Sequence, residues 1–294
     1  MKTIRTIGFT GTIASGKTSR CKHLLKVAES WQQSIAAAKG SGKNNATPSA
    51  ALGSDRTMRP QAIPSSSALA VHYINADLVG HHIYEPGKPC YYDLLQHFGT
   101  AILTAPAPTK AASQQTGPPT QRIQEGAGRG FSAAGSGKAE PFIDRRVLGQ
   151  IVFAEERKLQ ELNSICWPYI TAAIKDEHAK VYATPAVGLV IVEAALLCEM
   201  TEVLELTTDL WMTHCTSATA VDRVMMRNQI SREDAERRVA SQLDVERKLL
   251  KLRHLPYKGD IEVFDTTQVS LEEGLKETEA AFERYWRKKI AVHL

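Results

Sequence analysis

The chain has 294 residues, of which 36 are lysine or arginine and 32 are aspartate or glutamate, and hydrophobic residues make up 43%. This composition is ordinary for a soluble globular protein, and no run approaches the roughly 20 apolar residues of a membrane span. A net charge of +4 is too small and too scattered to predict nucleic-acid binding. The five cysteines form no Cys-x-x-Cys pair, which predicts free thiols rather than a disulfide framework or a metal site.

The N-terminal segment combines a predicted strand, a glycine-bearing loop and a predicted helix. Residues 4–10 are apolar and β-branched, as in a buried strand, and residues 18–25 have a helical pattern. Between them, residues 11–18 read GTIASGKT, which has the spacing G-x-x-x-x-G-K-[ST]. Because this motif stands in the strand, loop and helix context that it requires, we interpret it as a phosphate-binding loop (P-loop).

Each position of this loop suits a nucleoside triphosphate. Glycines at 11 and 16 allow backbone conformations that direct N–H groups towards an anion, and the positive end of the following helix points into the same hollow. Lys17 would reach the β- and γ-phosphates, and the Thr18 hydroxyl would bind Mg²⁺. The predicted ATP-binding residues are Gly11, Thr12, Ile13, Ala14, Ser15, Gly16, Lys17, Thr18 and Ser19.

Two stretches depart from globular composition. Residues 36–70 and 104–139 are rich in Ala, Ser, Gly and Pro and show no apolar period. Neither can bury enough apolar surface to offset the entropy of ordering, so we predict two flexible insertions. A GSGK sequence recurs at 40–43 and 135–138, but no strand precedes either copy, which indicates linker sequence.

The remaining chain alternates between apolar runs of strand length and helix-like segments. This pattern predicts an α/β fold with a mostly parallel five-stranded sheet and helices on both faces. The four further strands are predicted at residues 71–75, 187–194, 210–215 and 261–265. Ser231 has the pattern of a helix N-cap, for a helix that we expect to continue through residues 234–250. Residues 271–290 have acidic residues first and basic residues last, as in a terminal helix.

A carboxylate follows the second predicted strand. Asp77 lies just beyond residues 71–75, at the carboxyl end of the strand, where ligands gather in open α/β sheets. It could accept the proton of a hydroxyl group that attacks a γ-phosphate. It could also be the N-cap of a helix over residues 77–84, and the two roles are compatible.

Two arginines are candidates for phosphate binding. Arg223 and Arg227 are four residues apart on a predicted helix, so they share one face. A planar guanidinium group bonds phosphate in a bidentate way and keeps its charge. The alternative is a solvated helix face, since Arg232, Arg237 and Arg238 follow nearby.

Several segments together resemble the dephospho-coenzyme A kinase family. The run NAD, EPG and HFG between residues 75 and 99 resembles the family's D-A-D opening, its Pro-Gly turn and a helix that ends in Phe-Gly. IDRRVLGQIVF resembles the family's R-x-x-L-G-x-x-V-F stretch, VIVEAALLCE its D-x-P-L-L-F-E strand, and DRVMMRNQISREDAERRVASQ its arginine-rich lid. The resemblance covers residues 1–30, 71–103 and 141–285.

The resemblance implies a P-loop kinase that phosphorylates the ribose 3′-hydroxyl of dephospho-coenzyme A with Mg·ATP. Asp77 would be the base, and Lys17, Arg223 and Arg227 would stabilise the phosphates. A helical region over about residues 76–180 would bind the acceptor, and residues 216–250 would form a helical lid. We expect one domain over residues 1–294. We also expect a monomer in the cytoplasm, because the chain enters its first strand without room for a signal peptide.

The chain shows four departures from the family pattern. Asn75 stands for the first aspartate, Trp167 for the histidine of a His-Pro pair, Glu193 for the third-strand aspartate, and Ala194-Ala195 for the segment's proline. The change at Asn75 would weaken any metal–water contact there but leaves the base at Asp77. Glu193 keeps a carboxylate that is one methylene longer.

Three other functions fit parts of the pattern. A P-loop kinase for a nucleoside, nucleotide or sugar would have a similar length and lid. A nucleotide-dependent switch is disfavoured because the chain has no N-K-x-D motif. An inactive scaffold is disfavoured because Lys17, Thr18 and Asp77 are all present.

Overall fold

The computed structural model describes residues 3–40, 69–104, 140–182 and 187–293. Within these residues, the strands form one five-stranded sheet in which every neighbouring pair is parallel. The strands are β1 (Thr3–Gly11), β2 (Leu69–Asn75), β3 (Val187–Glu193), β4 (Asp209–His214) and β5 (Ile261–Asp265). Their order, β2-β3-β1-β4-β5, places the strand that leads into the P-loop at the centre. The predicted five-stranded parallel sheet is confirmed.

Helices connect the strands. They are α1 (Lys17–Gly40), α2 (Ala76–His82), α3 (Pro89–Phe98), α4 (Arg145–Ala154), α5 (Glu156–Tyr182), α6 (Thr201–Leu204), α7 (Ser217–Asn228), α8 (Arg232–Ala240), α9 (Val245–His254) and α10 (Leu271–Tyr285). A 3-10 turn follows α3 at Thr100–Ile102, and α10 continues as a π-helical turn, Trp286–Ile290, and a 3-10 turn, Ala291–His293. No described helix has the length and apolar character that crossing a membrane requires.

Alternate residues of the central strands face opposite sides of the sheet, and different helices cover the two sides. Ile7, Leu189 and Trp211 share one core with residues of α1 and α10. Val190 and Met212 share the other core with residues of α5 and α9. Because both faces are covered, the edge formed by the carboxyl ends of the strands is where a ligand can reach the sheet.

Two smaller helical units lie beside the sheet. Helices α3, α4 and α5 enclose a separate apolar core that includes Tyr91, Leu94 and Leu148. Helices α7 and α8 pack around Val224 and Ala235, and this cluster contacts the P-loop itself. The first unit lies within the predicted acceptor-binding region, and the second within the predicted lid.

The helix predicted to continue through residues 234–250 is two helices. Helix α8 ends at Ala240, and α9 begins at Val245. Asp244 is the N-cap of α9, and its side chain accepts a hydrogen bond of 2.7 Å from the backbone N–H of Arg247. Aspartate favours this position because its carboxylate satisfies free N–H groups at a helix start. Ser231 is the N-cap of α8, as predicted.

The first predicted insertion, residues 36–70, overlaps a helix at its start and a strand at its end. Helix α1 continues through residues 36–40, and β2 begins at Leu69. The prediction of a loop at 36–40 is wrong because these residues are mostly alanine, which extends an existing helix without any apolar period. The rest of both insertions, residues 41–68 and 105–139, lies outside the described residues, so their predicted flexibility stays a prediction.

Candidate active site

The P-loop joins β1 to α1 through two glycines with different requirements. Gly16 has a φ of +79°, in the left-handed region that favours glycine. At Gly11 the requirement is space, because a Cβ atom would lie 2.2 Å from Oγ1 of Thr213 and 2.5 Å from its carbonyl oxygen. A conformational role was expected for both glycines, and the structure supports that role at Gly16.

Contacts with β4 and the lid hold the loop in shape. The Ser15 hydroxyl donates to the Thr12 carbonyl at 2.7 Å and lies 2.7 Å from the Thr213 hydroxyl. The Thr12 N–H donates to the Thr213 carbonyl at 3.0 Å. Ala14 adopts a left-handed conformation, with a φ of 57°, and its carbonyl accepts from Arg223. The loop is therefore fixed by the protein's own contacts, as an anion-binding cradle requires.

Lys17 lies between two carboxylates. Its Nζ is 3.1 Å from Oε1 of Glu193 and 3.3 Å from Oδ2 of Asp77. The Glu193 side chain is completely buried, whereas the Asp77 side chain is 53% exposed. Burial acts to lower the pKa of Lys17, but Asp77 and Glu193 outweigh it, so the pKa lies above its ordinary value. The lysine is therefore held in its charged form.

Oxygen atoms suitable for a magnesium ion surround this lysine. The Thr18 hydroxyl donates to Oε1 of Glu193 at 2.5 Å, close to the Asp77 carboxylate that contacts the same lysine. Within the described residues, no group of three or more His, Cys, Asp or Glu side chains could hold a metal alone. Mg²⁺ in nucleotide sites uses one or two protein ligands and takes the rest from phosphates and water, so this donor set fits it.

Asp77 is not the cap of its helix. Helix α2 begins at Ala76, and its N-cap is Asn75, whose Oδ1 accepts from the Leu78 N–H at 2.9 Å. The alternative interpretation of Asp77 as the N-cap is therefore wrong. Asp77 lies in the first turn with its carboxylate directed to Lys17.

The two candidate arginines lie in different surroundings. Arg223 donates to the Thr266 carbonyl at 2.7 Å and to the Ala14 carbonyl at 3.3 Å, so it links α7 to the P-loop and to the end of β5. Arg227 is exposed, and its Nε donates to the Asn228 side chain at 2.9 Å. The structure brings Arg223 to the P-loop and leaves Arg227 at the surface. Contacts of either residue with phosphate stay a prediction.

Sequence comparison decides the family. A family model described as dephospho-CoA kinase matches residues 136–254. The dephospho-CoA kinase of Staphylococcus haemolyticus is 30% identical over 169 residues, which are 58% of this chain and 80% of that protein. The chain belongs to the dephospho-CoA kinase family. This confirms the resemblance and the prediction of a kinase.

Other members of the dephospho-CoA kinase family show similar relationships. The protein of Carboxydothermus hydrogenoformans is 27% identical over 176 residues, 60% of this chain and 68% of that protein. In Danio rerio, a dephospho-CoA kinase domain-containing protein is 26% identical over 175 residues, 60% of this chain and 61% of that protein. The crystal structure of TT1252 from Thermus thermophilus covers 97% of this chain and 98% of its own, with a TM-score of 0.50 and 17% identity. It supports the fold.

Two of this kinase's departures from the family pattern meet at Glu193. Asn75 donates from Nδ2 to Oε2 of Glu193 at 3.2 Å. Tyr73, which was not predicted from the sequence, donates from its hydroxyl to the same Oε2 atom. The spacing of two residues on β2 is the signal that could have found it, because Tyr73 and Asn75 share one face of the strand. Trp167 lies elsewhere. It is half-buried within α5 and packs against the apolar core that contains Val190 and Met212.

Proposed function

We propose that this chain transfers the γ-phosphate of ATP to the ribose 3′-hydroxyl of dephospho-coenzyme A, giving coenzyme A and ADP. The observation that carries the proposal is the distance of 3.3 Å between Nζ of Lys17 and Oδ2 of Asp77. This contact places the P-loop, which follows β1, next to the carboxylate that follows β2. In a kinase, the phosphate donor and the hydroxyl acceptor must lie next to each other in this way.

The P-loop would hold the nucleotide. The first N–H groups of α1, which begins at Lys17, have no carbonyl partner within the helix and would bind the phosphates. Lys17 would place its charge against the transferring phosphate. Interactions of this kind speed the reaction when they are stronger in the transition state than in the ground state.

Thr18 and Glu193 would hold Mg²⁺ together with the nucleotide phosphates. The ion supplies positive charge against the phosphate oxygens. Thr18 offers its hydroxyl at the first turn of α1, and Glu193 offers its carboxylate at the end of β3.

Asp77 would orient and activate the acceptor. Its carboxylate is half exposed, so a ribose hydroxyl can reach it. As the hydroxyl oxygen bonds to the γ-phosphorus, its proton passes to the Asp77 carboxylate and the bond to the ADP oxygen breaks. The charge-assisted contact with Lys17 keeps Asp77 aimed at this position.

The helical units beside the sheet would complete the site within one domain. The unit of α3, α4 and α5 belongs to the acceptor-binding region, about residues 76–180. The lid, about residues 216–250, contacts the P-loop through Ile13 and Ala14. Arg223 and Arg227 would bind the phosphates when the lid closes. The monomeric state and the cytoplasmic location stay predictions from the sequence.

An acceptor panel tests the proposal. The protein is incubated with Mg·ATP and one acceptor at a time: dephospho-coenzyme A, adenosine, AMP or ribose. ADP is measured by a coupled assay and the product by mass spectrometry. We expect phosphorylation of dephospho-coenzyme A well above the other acceptors. Lys17→Ala, purified in the same way, controls for contaminating kinases, and preferred phosphorylation of another acceptor would contradict the proposal.

A further inference from the structure

Glu193 is a buried carboxylate whose two oxygens have separate sets of donors. Oε1 accepts from Nζ of Lys17 at 3.1 Å and from the Thr18 hydroxyl at 2.5 Å. Oε2 accepts from the Tyr73 hydroxyl and from Nδ2 of Asn75, the latter at 3.2 Å. One oxygen therefore faces the P-loop, and the other faces β2.

Neutral donors are needed at Oε2 because Lys17, the cation that pairs with this carboxylate among the described residues, is shared. Lys17 also pairs with Asp77, so two carboxylates compete for a single ammonium group. Burying a charged group is costly unless it is paired and hydrogen-bonded. Tyr73 and Asn75 supply these bonds, and their own hydroxyl and amide groups lie 3.0 Å apart.

The Asn75 amide has a second partner that fixes its orientation. Its Oδ1 accepts from the Leu78 N–H at the start of α2, so Nδ2 must point towards Glu193. In the sheet, Asn75 pairs directly with Glu193 in the register of β2 and β3. An aspartate would cap α2 equally well but would place a second carboxylate against Oε2.

We propose that Tyr73 and Asn75 are positioning residues that hold the Glu193 carboxylate in the orientation in which Oε1 serves the metal and nucleotide. Through its cap, Asn75 also links this carboxylate to the helix that carries Asp77. The inference rests on the proposed function.

Nucleotide affinity with and without Mg²⁺ is the readout that tests this inference. Calorimetry measures the binding of a non-hydrolysable ATP analogue to wild type, Tyr73→Phe and Asn75→Ser. Serine keeps a capping oxygen for α2 but removes the amide donor. Mg²⁺ should increase the affinity of the wild type for the analogue. We expect this increase to be about tenfold smaller in each variant, in line with a lost hydrogen bond to a charged group. Affinity without Mg²⁺ should change little.

A double-mutant cycle separates positioning from a general structural effect. In a Glu193→Gln background, Asn75→Ser should have no further effect on the gain in affinity, because Asn75 acts through that carboxylate. Tyr257→Phe is the matched control, since its hydroxyl lies 3.2 Å from Thr207 at the opposite edge of the sheet. Melting temperatures of all variants show that each one folds.

Three outcomes would overturn the inference. One is an equal effect of Asn75→Ser with glutamate and with glutamine at 193, which would mean that Asn75 acts by another route. Another is a Tyr73→Phe variant that binds like Tyr257→Phe. The third is a wild-type protein that gains no affinity from Mg²⁺, which would contradict the proposed metal site as well. The first two outcomes contradict only the positioning role of Tyr73 and Asn75.

Discussion

Lys17 has two roles at the scale of single residues. It would stabilise the transferring phosphate, and it is the cation beside the buried carboxylate of Glu193. We predict that Lys17→Ala lowers turnover about a hundredfold or more, in the range seen for lost transition-state contacts. The melting temperature should fall as well, because the buried charge of Glu193 then loses its pairing with Lys17.

A second substitution separates these two roles of Lys17. In the double variant Lys17→Ala, Glu193→Gln, the buried charge is gone, so we expect the melting temperature to recover while turnover stays low. The checks are steady-state kinetics with dephospho-coenzyme A and calorimetric melting. Turnover of Lys17→Ala near that of wild type would remove the lysine from the catalytic site.

Asp77 is the residue that distinguishes a kinase from a nucleotide-binding protein. Since Asn75 caps α2, Asp77→Asn leaves the cap intact. We expect an unchanged melting temperature, a small change in ATP affinity, and a turnover lower by roughly 10²–10⁴, the range for a lost general base. The control is Asp260→Asn, because Asp260 is also exposed and pairs with Lys288 at 3.1 Å, outside the proposed site. Near-normal turnover of Asp77→Asn would exclude Asp77 as the base.

At the scale of elements, a buried ion pair fixes α9 to the segment after β3. Lys248 is fully buried and donates to the Glu199 carboxylate at 3.0 Å and to the Ala195 carbonyl at 3.1 Å. Thr10 at the end of β1 donates to the same carbonyl. Helix α9 is therefore tied to the end of β1 and to the segment that follows β3.

Breaking this ion pair should destabilise the protein. For Lys248→Met we predict a loss of about 3–5 kcal/mol in the free energy of unfolding, because Glu199 keeps a largely buried charge without a partner. Denaturant unfolding measures the change. Lys276→Met is the control, since its pair with Glu272 is exposed and should contribute about 1 kcal/mol or less. Equal losses in the two variants would contradict the role of Lys248.

The insertions provide another prediction for whole elements. Helix α1 ends at Gly40 and β2 begins at Leu69, where the Leu69 carbonyl accepts from Gln32 of α1 at 2.9 Å. Replacing residues 41–68 and 105–139 by short Gly-Ser linkers should leave turnover near the wild-type value, because their composition predicts no packed core. Loss of activity in a shortened protein that still melts cooperatively would show that they contribute to the site.

The strands were predictable because each one is a short, mostly apolar run bounded by helix-like segments. The predicted residues 261–265 are the full length of β5, and residues 71–75 miss two residues of β2. The break between α8 and α9 was not predicted, because it depends on whether Asp244 caps a new helix or faces solvent within a longer one. The order of the strands depends on which helices cover which face, and the sequence pattern does not specify this.

In the candidate active site, too, local features could be predicted from the sequence and contacts between distant residues could not. The P-loop could be predicted because it is a local motif of consecutive residues, and Asp77 because it follows a strand directly. The contact of Tyr73 with Glu193 joins residues that are 120 positions apart, and it exists only because β2 and β3 are neighbours. For the same reason, the composition of residues 234–250 did not indicate that Lys248 would be buried.

At the scale of the whole molecule, three parts meet around one edge of the sheet. The P-loop contacts the lid through Ile13 and Ala14. The proposed lid contacts the proposed acceptor-binding region, where the Arg238 guanidinium lies 5.5 Å from the centre of the Phe153 ring. The P-loop and these two units are thus in contact, as required if a phosphate is to pass from one ligand to another with water excluded.

The position of the phosphate on the product tests the central claim most directly. Dephospho-coenzyme A and Mg·ATP are incubated with the protein, and the purified product is examined by phosphorus and proton NMR. We predict one new phosphate per ADP formed, with its phosphorus coupled to the proton on the ribose 3′-carbon. A phosphate on any other oxygen, or ADP formed without a phosphorylated acceptor, would contradict the claim that this chain is a 3′-hydroxyl kinase of dephospho-coenzyme A.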